Sequence, residues 1–223
     1  MEHRLLGFFS GFPDRCFPPE VAGRLDKALA CRDSLVFVSA WPEDYERNDS
    51  DAAGMYQMFL DYGISFARRY VIDCRTEAPL AVKWIQGASC IFLMGGHPGR
   101  QLRLIQDKGL GAAIQESTGV VLGVSAGAIN MARRSLDTKE SPVPYEGLGL
   151  ADITVKPHFD GQDQALVSAL LEISMELPIC AMRDNSAIFA AEGEISYLGQ
   201  IDWVEKGRLC PFSQAVSYFS NKK

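Results

Sequence analysis

Residues 120–128 read VVLGVSAGA, an apolar run of strand length followed by a tight turn of small residues. The turn has the pattern Gly-x-Ser-x-Gly, with Ser125 between Gly123 and Gly127. A nucleophile on a sharp strand-to-helix turn needs small neighbours, because the backbone is strained there and larger side chains would collide. The free N–H groups at the start of the following helix can stabilise an oxyanion. The pattern predicts a nucleophilic serine, and a helix-capping serine in a βα turn is the alternative.

Short apolar runs alternate with helix-length amphipathic segments along the chain. The predicted strands are 5–9, 35–38, 66–72, 90–94, 120–124, 153–155, 179–182, 187–191, 195–198 and 201–204. The predicted helices are 20–30, 50–62, 79–86, 102–106, 112–116, one from the Ser125 turn to about residue 133, and 164–174. A loop is predicted after Ser135, where prolines and glycines cluster. Apolar strands separated by helices predict one α/β domain over residues 1–223, with a mostly parallel sheet flanked by helices.

Composition narrows the class of protein. The chain has 223 residues, 47% of them hydrophobic, with a net charge of −6 and a pI near 5.1. This acidity argues against a nucleic-acid or anionic-membrane partner, which would require a basic face. The six cysteines form no C-x-x-C pair and no metal-ligand spacing, so we expect reduced core thiols, no metal and no cofactor. Without an apolar stretch of about 18 residues, we expect a soluble, cytoplasmic protein.

The general base can be sought among three histidines, His3, His97 and His158. His3 precedes the first strand, whereas His97 and His158 each follow a predicted strand, at the sheet edge where parallel α/β folds bind ligands. We favour His158, which comes 33 positions after Ser125 at the end of a separate strand. In an ordinary α/β-hydrolase the histidine usually lies nearer the end of the chain. Four carboxylates lie between nucleophile and base, and composition alone selects none of them: Asp137, Glu140, Glu146 and Asp152.

Three segments together resemble the peptidase E family of serine peptidases, which also includes the cyanophycinases. They are FLMGG at 92–96, GVSAGA at 123–128 and PHF at 157–159. The resemblance implies a flavodoxin-like three-layer sandwich similar to class I glutamine amidotransferases, and cleavage of short peptides after aspartate. It implies Ser125 as nucleophile, His158 as base and Glu140 as the acid, with Asp137 in reserve. The implied oxyanion donors are the N–H groups of Gly96 and Ala126.

One turn departs from the family pattern. The family usually has Gly-Gly-Asn-Thr where this chain has Gly95-Gly96-His97-Pro98, which leaves the aspartyl preference open. We expect His97 and Arg100 to bind substrate, and Arg183 and Lys156 are further cations placed near the site. The prediction is a dipeptidase E-like serine peptidase acting on a small peptide, with a homodimer as one option. The alternatives are a cyanophycinase-like or other amide hydrolase, a silent amidotransferase-like binding domain, and a flavodoxin-like nucleotide binder, although no phosphate-loop motif is present.

Overall fold

The computed structural model describes residues 4–139, 141–191 and 193–215. The strands are β1 (Leu6–Phe9), β2 (Ser34–Val38), β3 (Arg68–Ile72), β4 (Cys90–Leu93), β5 (Val120–Val124), β6 (Arg134–Asp137), β7 (Ser141–Glu146), β8 (Val155–Lys156), β9 (Ile179–Met182), β10 (Ala187–Ala191), β11 (Glu194–Leu198), β12 (Ile201–Glu205) and β13 (Arg208–Pro211). The helices are α1 (Pro19–Ala28), α2 (Tyr45–Leu60), α3 (Ala78–Gln86), α4 (Pro98–Asp107), α5 (Leu110–Glu116), α6 (Ala126–Met131) and α7 (Gln164–Ile173), with a 3₁₀ turn at Phe212–Gln214.

The main sheet has seven strands in the order β11-β10-β1-β5-β4-β2-β3. The strands β1, β5, β4, β2 and β3 run parallel to one another. Strand β10 is antiparallel to β1, and β11 is antiparallel to β10. Successive residues face opposite cores: Ile91 and Val121 belong to one buried cluster, Phe92 and Leu122 to the other. Strands that are apolar throughout must be covered on both faces. The predicted mostly parallel sheet flanked by helices is confirmed.

A second sheet of four strands, in the order β13-β12-β9-β8, lies in the strand-rich C-terminal third. Its strands β8 and β9 are parallel, with Lys156 opposite Ala181. Helix α7 packs on this sheet through Leu170, which shares a small buried cluster with Phe159 and Val204. The pairing of β8 with β9 matters for the site, because it brings the residues that follow each strand to one edge. Across the described ranges, no helix has the length and apolar character needed to cross a membrane.

The loop predicted after Ser135 is wrong, because β6 and β7 form an antiparallel hairpin there. Arg134 pairs with Glu146, and the register shifts between Ser135 and Asp137. The prolines of β7 led to the loop prediction because proline cannot donate to a ladder, yet such residues are tolerated in edge strands and near bulges. The hairpin has no other strand in its sheet. Strand β13 was not predicted either.

Candidate active site

Ser125 occupies a strained turn between β5 and α6. Its backbone has φ 51° and ψ −109°, a conformation that L residues rarely adopt. The Ser125 N–H donates to the carbonyl of Phe9 at 2.9 Å, which ties the turn to the end of β1. A side chain at Gly123 would lie 2.6 Å from the carbonyl carbon of Gly127, and one at Gly127 would collide with the Leu93 carbonyl. The glycines of the motif are therefore required by packing, and strain of this kind concentrates at functional sites.

His158 faces Ser125 across this turn. Its Nε2 is 2.9 Å from Ser125 Oγ, a hydrogen-bond distance. The residue follows β8 and also has a positive φ, 53°. The backbone N–H of His158 donates to the buried Ser10 Oγ at 2.8 Å, and Ser10 follows β1. The residue expected to act as the base is thus within one proton transfer of the expected nucleophile.

The other ring nitrogen of His158 pairs with Asp184, which the sequence reasoning missed. The distance from Nδ1 to Asp184 Oδ1 is 2.7 Å. With the proton on Nδ1, the ring donates to Asp184 and leaves Nε2 as acceptor for the serine hydroxyl. The residues lie 26 positions apart, but β8 and β9 are parallel neighbours whose carboxyl ends meet at one edge. One signal was available: Asp184 stands two residues after the predicted strand 179–182, as His158 stands shortly after its own strand.

The four carboxylates considered from sequence all precede His158, whereas the carboxylate that contacts its imidazole in the structure follows it. Glu140 lies outside the described residues. Asp137 is buried in the hairpin, where its Oδ1 accepts from the backbone N–H of Lys139 at 3.1 Å rather than from the imidazole. Among the described residues, Asp184 is the carboxylate that contacts the His158 ring.

Ser10 and Gly11 lie against the His158–Asp184 pair and hold it in place. Ser10 Oγ accepts from the His158 N–H and lies 3.0 Å from the Met182 carbonyl and 3.3 Å from Asp184 Oδ1, so its proton can be donated to either. Gly11 fits closely against both side chains: a Cβ there would lie 2.5 Å from His158 Cε1 and 2.7 Å from Asp184 Oδ1. Only glycine leaves room for the pair in this position.

The glycine turn after β4 lies beside the serine. A Cβ at Gly95 would be 3.6 Å from Ser125 Cβ. Gly96 has φ +141°, and a Cβ there would collide with the indole of Trp41, whose buried Nε1 has no hydrogen-bond partner among the described residues. The Gly96 N–H, expected to stabilise an oxyanion, is in no hydrogen bond within the described part of the chain. Ala126 is the first residue of α6, where backbone N–H groups have no intrahelical acceptor.

A cavity of about 230 Å³ opens beside Ser125 and is called here the elbow cavity. It is lined by Trp41, Gly96, His97, Pro98, Ser125, Ile129, Leu136, Asp137, Thr138, Lys139, Lys156, Pro157 and His158. Lys156 is buried, and its Nζ donates to the Pro157 carbonyl at 2.6 Å. Burial lowers the pKa of this ammonium, and the charge of Lys139 adds to that effect, while Asp137 opposes it. The cavity therefore has a desolvated cation in its wall.

The residues expected to bind substrate have different environments. His97 lines the elbow cavity and caps α4, where its Nδ1 accepts from the Arg100 N–H at 3.4 Å. Arg100 is exposed outside the cavity lining, with its guanidinium carbon 5.2 Å from the centre of the Trp41 ring. Arg47 lies 4.5 Å from the same ring, so two cations flank the indole. Arg183 pairs with Asp202 at 3.6 Å and does not line the cavity.

Comparison with known proteins gives the family and the fold. The model of peptidase family S51 matches residues 43–198. The pyridoxal 5′-phosphate synthase subunit PdxT of Deinococcus radiodurans is 33% identical over 127 residues, which are 55% of this chain and 62% of that protein. The chain therefore spans less than two thirds of the length of this curated relative.

Two crystal structures have the same fold. One is a peptidase from an acI-B1 actinobacterium, with a TM-score of 0.70 and 16% identity over 95% of this chain and 98% of that chain. The other is a peptidase E protein of Listeria monocytogenes EGD-e, with a TM-score of 0.65 and 15% identity over 88% of this chain and 98% of that chain. At these identities the likeness shows the architecture, and the family model, which matches more than half of the chain, shows the relationship. The chain belongs to peptidase family S51.

Proposed function

We propose that this peptidase is serine-type, resembles dipeptidase E, and cleaves short peptides through an acyl-enzyme. The observation that carries the proposal is the line of hydrogen bonds from Ser125 Oγ to His158 Nε2, 2.9 Å, and from His158 Nδ1 to Asp184 Oδ1, 2.7 Å. A nucleophile, a base and an orienting acid in this order form the catalytic arrangement of serine hydrolases on unrelated folds. In this proposal Asp184 replaces Glu140 as the third member.

In the proposed mechanism each group has one role. Ser125 Oγ attacks the substrate carbonyl while His158 Nε2 takes its proton, and Asp184 stabilises the imidazolium that forms. The N–H groups of Gly96 and Ala126 donate to the oxyanion. His158 then returns the proton to the leaving amine, the C–N bond breaks, and a water molecule activated by the same imidazole hydrolyses the acyl-enzyme.

The lining of the elbow cavity supports a substrate with an acidic group on its acyl side. Lys156 has three N–H donors, of which one is bonded to the Pro157 carbonyl. A buried charge is unfavourable unless it is paired. A substrate carboxylate that enters the cavity would pair with the buried Lys156 ammonium, and this pairing favours binding of an acidic substrate. In this proposal Lys156 binds the carboxylate, so the preference for aspartate is kept although this chain lacks the Asn-Thr that the family has after its two glycines.

Substitution of the three residues tests the mechanism. Ser125→Ala and Asp184→Asn should each lower kcat on Asp-Leu by about 10⁴-fold or more, the order seen when a triad member is lost. A fluorophosphonate probe should label the wild type and not Ser125→Ala. Asp26→Asn is the matched control, because among the described residues the Asp26 carboxylate contacts only Arg32, in an exposed ion pair. Such pairs contribute less than about 1 kcal/mol to stability. Wild-type hydrolysis by the Ser125 variant, or absence of labelling, contradicts the proposal.

The acidic preference has its own test. Lys156→Met should lower kcat/KM for Asp-Leu by about 10–100-fold, the range for a lost hydrogen bond to a charged group. The neutral isostere Asn-Leu should be affected much less, so the ratio between the two substrates should fall towards one. A variant that keeps the wild-type ratio would show that Lys156 does not read the substrate charge.

A further inference from the structure

We propose that a second cavity is the subsite for the leaving amino acid. This cavity lies on the opposite face of the main sheet from the elbow cavity. It takes the apolar side chain of the leaving amino acid, whose α-carboxylate pairs with Arg15. The proposal rests on the proposed function, because a leaving amino acid exists only if the site cleaves peptides. The cavity has a volume of about 120 Å³ and is called here the Arg15 cavity. Phe12, Met55, Met58 and Val124 form most of its apolar wall.

The position of the Arg15 cavity relative to the reacting groups follows from the chain. Val124, in its wall, directly precedes Ser125, and Phe12 directly follows Gly11, which packs against the His158 ring. Val124 and Met58 belong to the core cluster on one face of the sheet, whereas Ile129, in the elbow cavity, belongs to the other. The two cavities thus flank the Ser125 turn from opposite faces.

The direction of the reaction assigns the two cavities. The acyl part of the substrate remains on Ser125, and the leaving amine departs where His158 can protonate it. If the acyl side chain fills the elbow cavity beside Lys156, the leaving residue extends to the other side of the turn, across Gly11 and Phe12. The Arg15 cavity lies on that side of the turn, and it is therefore the cavity assigned to the leaving residue.

The lining defines the chemistry of the leaving residue. The wall is aromatic, thioether and branched aliphatic, and methionine side chains adapt to ligands of varied shape. The volume is about that of four water molecules, which suits one medium-sized apolar side chain and not a longer peptide. Leucine and methionine are among the side chains that fit this description.

Two charged residues, Arg15 and Asp51, line the Arg15 cavity. Arg15 is exposed, and within the described ranges its guanidinium makes no ion pair or hydrogen bond. Asp51, also at the cavity, is already paired with Arg47 at 3.3 Å, so its charge is compensated. Arg15 has φ 50°, and its N–H donates to the Phe12 carbonyl at 2.9 Å, which fixes this unusual conformation. A cation at the edge of an apolar cavity matches a free α-carboxylate next to an apolar side chain.

The test compares substrates that differ only in the leaving residue. Arg15→Gln should raise KM for Asp-Leu by about 10–100-fold, the range for a lost charge-assisted hydrogen bond, and change kcat less. Asp-Leu amide, which lacks the carboxylate, should be cleaved equally by the wild type and Arg15→Gln. Arg68→Gln, an exposed position on the edge strand β3, is the matched control. Equal KM values for wild type and Arg15→Gln, or equal losses on both substrates, overturn the proposal.

A second variant tests the apolar part. Gly54 lines the cavity, and a Cβ there would have only Arg15 Nη1 within 4 Å, at 3.9 Å, so Gly54→Leu adds a side chain to the cavity. This variant should lower kcat/KM for Asp-Leu by about tenfold more than for Asp-Gly, the discrimination expected of an apolar pocket. Gly23→Leu, in α1 with nothing near its Cβ position, is the control for folding. Equal losses on Asp-Leu and Asp-Gly contradict an apolar subsite.

Ligand binding separates failure of this proposal from failure of the proposed function. Binding of L-leucine to Ser125→Ala, followed by NMR, requires no turnover. We expect leucine to perturb the signals of the Met55 and Met58 methyl groups, and Arg15→Gln to weaken binding about 10–100-fold. If leucine binds in this way while no peptide is cleaved, the proposed function fails and the site remains. If peptides are cleaved and leucine does not perturb these methyl groups, the subsite is wrong.

Discussion

Gly11→Ala is the substitution for which the structure predicts the sharpest effect on activity. Gly11 directly follows the buried Ser10 and lies against the side chains of His158 and Asp184. An added methyl carbon would be 2.5 Å from His158 Cε1 and 2.7 Å from Asp184 Oδ1. Ordinary contacts of a Cβ begin at 3.4 Å, so the imidazole must move by about 0.9 Å to accept the alanine.

The size of the effect follows from that displacement. His158 Nε2 is 2.9 Å from Ser125 Oγ, and a shift of this size can break a hydrogen bond of that length. A misplacement of about 1 Å in a catalytic group can lower the rate by about 10²-fold, or about 2.7 kcal/mol in activation free energy. The cost to folding should be smaller, because both side chains are partly exposed and can rotate outward. We therefore expect kcat to fall by about 10²-fold with the fold retained.

The assay measures kcat and KM on Asp-Leu together with the thermal midpoint of unfolding. Gly23→Ala is the matched control, since it makes the same change in α1 with no atom within 4 Å of the new carbon. That control should keep wild-type activity and gain about 0.5–1 kcal/mol, because alanine favours the helix. A Gly11→Ala variant that is folded and as active as the wild type would refute the assignment of His158 as base at this distance.

Three further substitutions test the surroundings of the site. Ser10→Ala leaves the buried N–H of His158 without its acceptor, so kcat should fall by about tenfold or more with KM on Asp-Leu little changed, as steady-state kinetics can show. Lys156→Met should raise the free energy of unfolding at pH 7, because burial lowers the pKa of the folded-state ammonium below its ordinary 10.5 and the charged form is disfavoured. This gain in the free energy of unfolding should shrink as the pH rises through the lowered pKa towards 10.5, and urea denaturation at several pH values can measure it. A gain that does not change with pH would contradict the lowered pKa as its cause. Asn48→Ala should lower the free energy of unfolding by about 2–3 kcal/mol, because it removes three hydrogen bonds of a buried side chain. Asn48 accepts from Ser39 and donates to Asp73 and to the carbonyl of Trp41. An unchanged thermal midpoint would contradict this network.

Local patterns predicted most of the architecture. The apolar runs that became β4 and β5 were recognised to within a residue, because a strand buried on both faces needs an unbroken apolar sequence. The hairpin of β6 and β7 was missed because its two strands stabilise each other and their prolines resemble a loop. Helix α4 begins earlier than predicted, at Pro98, where a proline is favoured in the first turn.

Some residues of the candidate site can be recognised from local sequence patterns, and others only from the tertiary structure. Ser125 could be found from sequence because its requirement is local: the strained turn needs Gly123 and Gly127 within two positions on each side. His158 was favoured over His97 because it follows a separate strand 33 positions after Ser125. Asp184 could not be selected, because its link to His158 depends on β8 and β9 lying side by side, and no local pattern encodes which strands become neighbours.

The periodicity of the elements, the mostly parallel sheet and the strained serine turn can be recognised in the sequence alone, since each depends on residues within a few positions of one another. The carboxylate partner of the imidazole, the tight fit of Gly11 against both side chains and the two cavities beside the turn are visible only in the folded chain. These features are contacts between strand ends and loops far apart in the chain, and packing of the whole fold sets their distances to within an ångström.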